Sequence, residues 1–206
     1  MNQLAALLQV TNRAIEAEPI HRTILAERRK VLPAAHPSIV NTLNNLAALV
    51  LDDGRAAEAE TLCREHVALA EKAYGAKHAE VAGAKARLGQ ALLELKKPAE
   101  AEPFLREALA IRETAMPAHW STANTKARLG RALQIQAKLK DAEPLLADGY
   151  AGLLNGLPTL PPDARRYALQ AGTWLAELYD ATQRPEQAAA VRKSFPREFA
   201  PPPRIR

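Results

Sequence analysis

Glu100 to Glu113 read EAEPFLREALAIRE, and the pattern returns three times: EAEPIHRTILAERR from Glu16, EAETLCREHVALAE from Glu58 and DAEPLLADGYAGLL from Asp141. The starts lie 42, 42 and 41 residues apart. A fixed period of this size marks a stacked repeat protein, in which one supersecondary unit cannot bury its apolar face alone and needs neighbours. A second signal keeps a constant distance ahead of each start. Leu followed by a small residue occurs at Leu4-Ala5, Leu46-Ala47, Leu88-Gly89, Leu129-Gly130 and, after a longer insertion, Leu175-Ala176. Twelve residues beyond each small residue stands an alanine: Ala17, Ala59, Ala101, Ala142 and Ala188. A helix-interior glycine costs ~1 kcal/mol against alanine, so Gly89 and Gly130 need the close approach of a second backbone. Each repeat is therefore expected to be a helical hairpin whose helices cross at the small residues.

Turns such as DDGR (Asp52 to Arg55) and KLKD (Lys138 to Asp141) join the two helices of a hairpin. Pro19, Pro103 and Pro144 would break a helix interior, so EAEP is expected to mark the first turn of each second helix. The expected fold is all-α, a solenoid of about ten helices over residues 1–195. Repeats begin near positions 1, 36, 78, 119 and 162, and a Pro-rich tail follows at 196–206. Met1 aligns with Leu43, so the first helix is expected to be shortened, and its apolar side to be covered by a longer array or by a second copy in a homodimer.

Composition bounds the function. The 206 residues are 48% hydrophobic and 25% charged, which suits a folded soluble chain. The net charge of +5 is modest and mixed in sign, and aromatics at 4% leave few stacking platforms for bases, so nucleic acid is not expected as a partner. No apolar run approaches the ~20 residues of a membrane span, and MNQLAALLQV lacks the form of a signal peptide, so the expectation is a cytoplasmic protein without a membrane partner. Cys63 stands alone and no Cys/His cluster offers zinc four ligands; no cofactor or metal is expected.

Residues His36 to His78, HPSIVNTLNNLAALVLDDGRAAEAETLCREHVALAEKAYGAKH, resemble the 42-residue tetratricopeptide repeats of kinesin light chains and of many bacterial proteins. The letters that carry the resemblance are His-Pro, the Leu-Asn-Asn-Leu-Ala run, Glu-Ala-Glu and the return to His. Later copies drift, with KARLG at Lys85 and Lys126. The resemblance implies a right-handed superhelix of antiparallel helix pairs that binds partner proteins. The segment from AEPLLADGYAGLL to LAELYDATQRPEQAAAVR resembles the terminal repeats that follow bacterial serine/threonine kinase domains.

No enzyme is expected. HRT at His21 lacks a catalytic aspartate, DDG at Asp52 is a turn, and no phosphate loop, GxSxG or HExxH occurs. His36, His78 and His119 recur ten residues before each Leu. Equivalent positions in neighbouring hairpins lie at least roughly 8 to 10 Å apart, too far to share one zinc, so each is read as a loop residue bonding at the mouth of the next helix. His21 and His66 are placed facing neighbours or solvent without a role, and Cys63, aligned with Leu105 and Leu146, as buried filling.

Function is expected on the first helix of each hairpin. At 100° per residue, Leu43, Leu46, Ala47 and Val50 share the packed face, and Asn41, Asn45, Ala48 and Asp52 an exposed one. The following exposed stripes are Gly83, Arg87, Gln90, Glu94; Asn124, Arg128, Arg131, Ile135; and Gln170, Trp174, Glu177, Ala181. One column runs Gln3, Asn45, Arg87, Arg128, Trp174. By the resemblance this column is the inner wall of a concave groove. Asn41, Asn45 and Asn124 would grip peptide backbone there, Arg87, Arg128 and Arg131 would grip carboxylates, Gln90 would line the same groove, and Trp174 would anchor apolar groups. Three functions fit: a scaffold binding an acidic peptide or helix of a partner protein, a regulatory extension that recruits substrates to a bacterial kinase, and an enzyme with a site between repeats. The first is expected.

Overall fold

A computed structural model describes residues 14–161 and 164–194. Met1, Gln3, Leu4-Ala5, the start of the last repeat at 162 and the Pro-rich tail lie outside the described residues, as does the expected N-terminal pairing surface. The described residues form nine α-helices and no strand. They are α1 (Ala14–Val31), α2 (Pro37–Asp52), α3 (Ala56–Tyr74), α4 (Ala79–Glu94), α5 (Pro98–Ala115), α6 (Trp120–Ile135), α7 (Leu139–Gly156), α8 (Arg165–Ala181) and α9 (Pro185–Ser194). A 3-10 turn, Leu157–Thr159, follows α7. The chain divides into two compact units, 1–111 and 112–206, with the boundary inside α5.

The turn inside each hairpin is built the same way four times. Arg55, Lys97, Lys138 and Arg184 donate their backbone N–H to the carbonyls of Val50, Leu92, Leu133 and Tyr179 at 2.8 to 3.1 Å. The residue before each, Gly54, Lys96, Ala137 or Gln183, has φ between 59° and 82°. This six-to-one bond around a left-handed residue is a Schellman ending, which satisfies carbonyls the helix leaves unpaired. Only the first copy fills the position with glycine; the other three hold an L side chain in a conformation that costs roughly 1 kcal/mol or more. Ala137→Gly is therefore expected to stabilise the second unit by about 1 kcal/mol, read as a higher denaturant midpoint. An unchanged midpoint would contradict the assignment.

The prolines of EAEP do not mark helix starts. Pro103 and Pro144 lie inside α5 and α7, which begin five residues earlier at Pro98 and Leu139. They are tolerated because both are exposed, and so are Ala99 and Lys140, whose carbonyls lose the proline's bond to water. The first helices do start where the histidines stand. Nδ1 of His36, His78 and His119 accepts the backbone N–H of Ser38, Glu80 and Ser121 at 3.1 to 3.2 Å, so each caps α2, α4 or α6.

The small residues mark the crossings. Ala47, Ala59, Ala101 and Ala142 are fully buried. A methyl added to Gly89 would lie 2.5 Å from the Leu105 side chain, and one added to Gly130 would lie 2.7 Å from that of Leu146. In the first unit α2, α3 and α4 close over Leu43, Leu46, Val50, Ala59 and Ala91. The drifted KARLG copies keep this geometry by a different means. Lys85 takes the position of Leu43, is 6% exposed, and pairs with Glu71 of α3 and Glu107 of α5. Its equivalent in the second unit, Lys126, reaches Glu113 at 3.3 Å and Asp148 at 3.7 Å.

Candidate binding surface

In the first unit the expected site residues come together on α2 and α4. Asn41 is exposed, while Asn45, Arg87 and Gln90 are half-buried. Arg87 Nε donates to Asn44 Oδ1 at 3.3 Å, and Asn44 in turn lies 3.5 Å from Asn45 Oδ1. Gln90 donates to Glu94 at 3.1 Å. Here Arg87 is held across the gap between two first helices by an asparagine.

The two remaining histidines, expected to face neighbours or solvent, take the first of these positions. His66 is 1% exposed and His21 4%, so they face the interior rather than solvent. Neither ring has a hydrogen-bond partner. Burial, aided by the Arg87 charge, lowers the His66 pKa from 6.5 to about 4. Burial also pushes the Cys63 thiol up to about 11, against the pull of Arg87, so Cys63 is inert filling as expected.

In the second unit the expected site residues stand on α6 and α8. Asn124 and Arg128, expected to be exposed, are each only 6% exposed. A single-helix projection omits the side chains of the next hairpin, and one of these, Tyr167 of α8, lies beneath the Arg128 guanidinium at 5.0 Å from the ring centre. The Arg166 guanidinium also sits over Tyr167, at 5.1 Å, and the Trp120 ring stacks beside it at 6.0 Å and 13°. One turn further along α6, the half-buried Arg131 lies over the Trp174 ring at 5.7 Å. Its Nη1 pairs with Glu177 Oε2 at 2.6 Å and donates to Gln134 Oε1 at 2.9 Å. Gln134 donates to the Trp174 carbonyl at 3.1 Å.

The result is a face of interleaved guanidinium and aromatic groups. Trp120 and Tyr167 were missed in the sequence. For Tyr167 the signal was present, since Tyr167 and Trp174 are seven residues apart and so share one side of α8. Arginine over an aromatic face keeps its charge available at its edges while its plane is supported from below. Charge is also unevenly placed. Fourteen Lys/Arg balance fourteen Asp/Glu in residues 1–111, so the whole excess of +5 lies from residue 112 onward. In the first unit much of the charge is spent between copies, as in Arg29–Glu65 at 2.6 Å and Lys97–Glu60 at 2.9 Å.

Four matching hairpin turns, three matching histidine caps and buried small residues at each crossing describe one unit repeated. Tetratricopeptide repeat profiles match residues 1–38 and 38–114. The chain belongs to the tetratricopeptide repeat family. No curated protein sequence is detectably similar to this tetratricopeptide repeat chain. Solved structures share its fold. The nearly identical TPR-like repeats of a Podosopora anserina protein assigned to the kinesin light chains superpose with a TM-score of 0.73 at 23% identity, over 93% of this chain and 89% of that one. BtubC (BKLC) from P. vanneervenii gives 0.74 at 19%, over 98% and 82%. YrrB, described as a TPR protein with an unusual peptide-binding site, gives 0.56 at 16%, over 93% and 81%. Among the described residues no helix is long and apolar enough to cross a membrane, and no group of His, Cys, Asp and Glu could hold a metal ion.

Proposed function

We propose that this tetratricopeptide repeat protein is an interaction scaffold that binds an acidic segment of a partner protein on the faces of its first helices. The observation that carries this reading is the stacked arginine-aromatic face of α6 and α8, lying in the half of the sequence that holds the entire charge excess. Guanidinium forks suit carboxylates, and the Trp174 ring offers an apolar anchor. Asn41, Asn45 and Gln90 on the first unit offer donors and acceptors to an extended backbone, with Arg87 beside them. That YrrB has a peptide-binding site supports the same use of the fold.

Binding should be micromolar, about −8 kcal/mol, as suits a short segment on a preformed surface. Exposed ion pairs supply only ~0.2 to 1 kcal/mol each, so salt should weaken binding without abolishing it. The test is an array of short peptides in which each Asp/Glu sequence is paired with its Asn/Gln twin. Wild type should prefer the acidic member. Arg131→Glu should lose roughly tenfold of that preference, and Arg87→Glu, tested separately, reports on the first unit. Arg128 is a poorer probe, because reversing a buried charge would disturb the fold. Equal retention of both twins, or an unchanged preference in Arg131→Glu, would overturn the reading.

A further inference from the structure

We infer that Glu177 is a built-in stand-in for the partner's carboxylate, which an incoming acidic segment must displace from Arg131. The inference rests on the proposed acidic partner and goes further, because it assigns an opposing role to a residue on the binding face itself. Glu177 is on α8, three residues or just under one turn after Trp174, and it reaches across to α6. Its Oε2 meets Arg131 Nη1 at 2.6 Å while the same guanidinium lies over the Trp174 ring. This is the arrangement a ligand carboxylate would adopt: a charge-assisted bond to an arginine already supported on an aromatic face.

The pair is open to solvent, with 26% of the arginine side chain and 46% of the glutamate side chain exposed, so exchange needs no opening of the core. An exposed pair of this kind biases an equilibrium by up to about fivefold, enough to discriminate and too little to block. Both described bonds of Arg131 use Nη1, one to Glu177 and one to Gln134, whereas a guanidinium has five donors. A partner carboxylate that engages two of them therefore outcompetes the single Glu177 contact, and a weakly acidic segment does not. Glu177 thereby raises the threshold of acidity at which a segment is accepted.

The experiment uses the full chain and the paired peptide array. Glu177→Gln keeps the side-chain shape, and acidic peptides should bind it three- to fivefold more tightly than wild type, with singly acidic sequences gaining most. Glu186→Gln, on the exposed first turn of α9, adds the same charge away from this face and should leave affinity unchanged. Unchanged or weaker binding by Glu177→Gln would show a purely structural strap and overturn the inference, as would an equal gain in Glu186→Gln, which would reduce the effect to net charge. If neither wild type nor Glu177→Gln prefers acidic peptides, the proposed function fails and the inference fails with it. Preference in wild type with no gain in Glu177→Gln sinks the inference alone.

Discussion

Gly149→Ala is expected to destabilise the second unit by about 3 kcal/mol, the upper end of the usual cost of overpacking. The added carbon would lie 2.6 Å from the Ala127 backbone nitrogen and 2.8 Å from the Ala123 carbonyl oxygen. Both atoms belong to the α6 backbone, which is locked in its own hydrogen bonds and cannot swing aside. Gly89 makes the useful contrast. Its added methyl would meet the buried Leu105 side chain rather than backbone, so the cost falls nearer the ~1 kcal/mol end of the range for overpacking. Both tryptophans, Trp120 and Trp174, belong to the second unit, so their fluorescence follows that unit in a denaturant titration. Gly149→Ala should move this midpoint well below wild type, whereas Gly89→Ala, in the first unit, should leave it near the wild-type value. A wild-type midpoint for Gly149→Ala would mean that α6 and α7 do not cross there.

Acid is expected to weaken the first unit through His66. Its pKa is about 4 when folded and 6.5 when free, so the unfolded chain binds the proton more readily. The contribution of neutral His66 is fully present above pH 6.5 and is lost as pH falls through about 4. A depression of this size corresponds to about 3 kcal/mol. The His21 pKa is lowered as well, by burial first and then by Arg28, which adds loss in the same direction. Carboxylates such as Glu60, held down by bonds to Lys97 and Arg64, also lose their contribution in acid, so the comparison must be between variants. Between pH 7 and pH 4, wild type should lose about 3 kcal/mol more than His66→Leu. Parallel pH profiles would show that His66 is not buried as a neutral ring.

The repeat, the helical hairpin and the crossing residues were legible because the same packing problem is solved with the same letters in each copy. The histidine caps were legible for the same reason. What failed was whatever depends on a partner outside the stretch being read. Only Gly54 betrays the left-handed turn position; Lys96, Ala137 and Gln183 hide it, because the hairpin imposes the conformation against their preference. Arg128 looked exposed because Tyr167, which lies beneath it, comes from the next hairpin and beyond an insertion that breaks the period. Compensating changes hid another contact. Arg28 bonds the Ser38 carbonyl and Thr42, and Arg112 does the same with Ser121 and Thr125, whereas the intervening copy places Ala70 and Ala84 at both positions. Each pair changes together, since an arginine held here without its acceptors would leave part-buried donors unsatisfied. Gly149 carried no signal at all, because its equivalents are Ala108 and His66, and closeness of two backbones is a property of one pair of helices.

The central claim is that acidic segments dock on the arginine-aromatic face of α6 and α8, and both tryptophans of the chain stand on that face. Tryptophan emission, titrated with an acidic peptide retained on the array at low and at moderate salt, therefore tests it directly. The account predicts a saturating change with a midpoint in the micromolar range, weaker at the higher salt, roughly tenfold weaker in Arg131→Glu, and also weaker with the Asn/Gln twin than with the acidic peptide. Binding of the same peptide detected by calorimetry without any change in emission, or with equal affinity in Arg131→Glu, would contradict it.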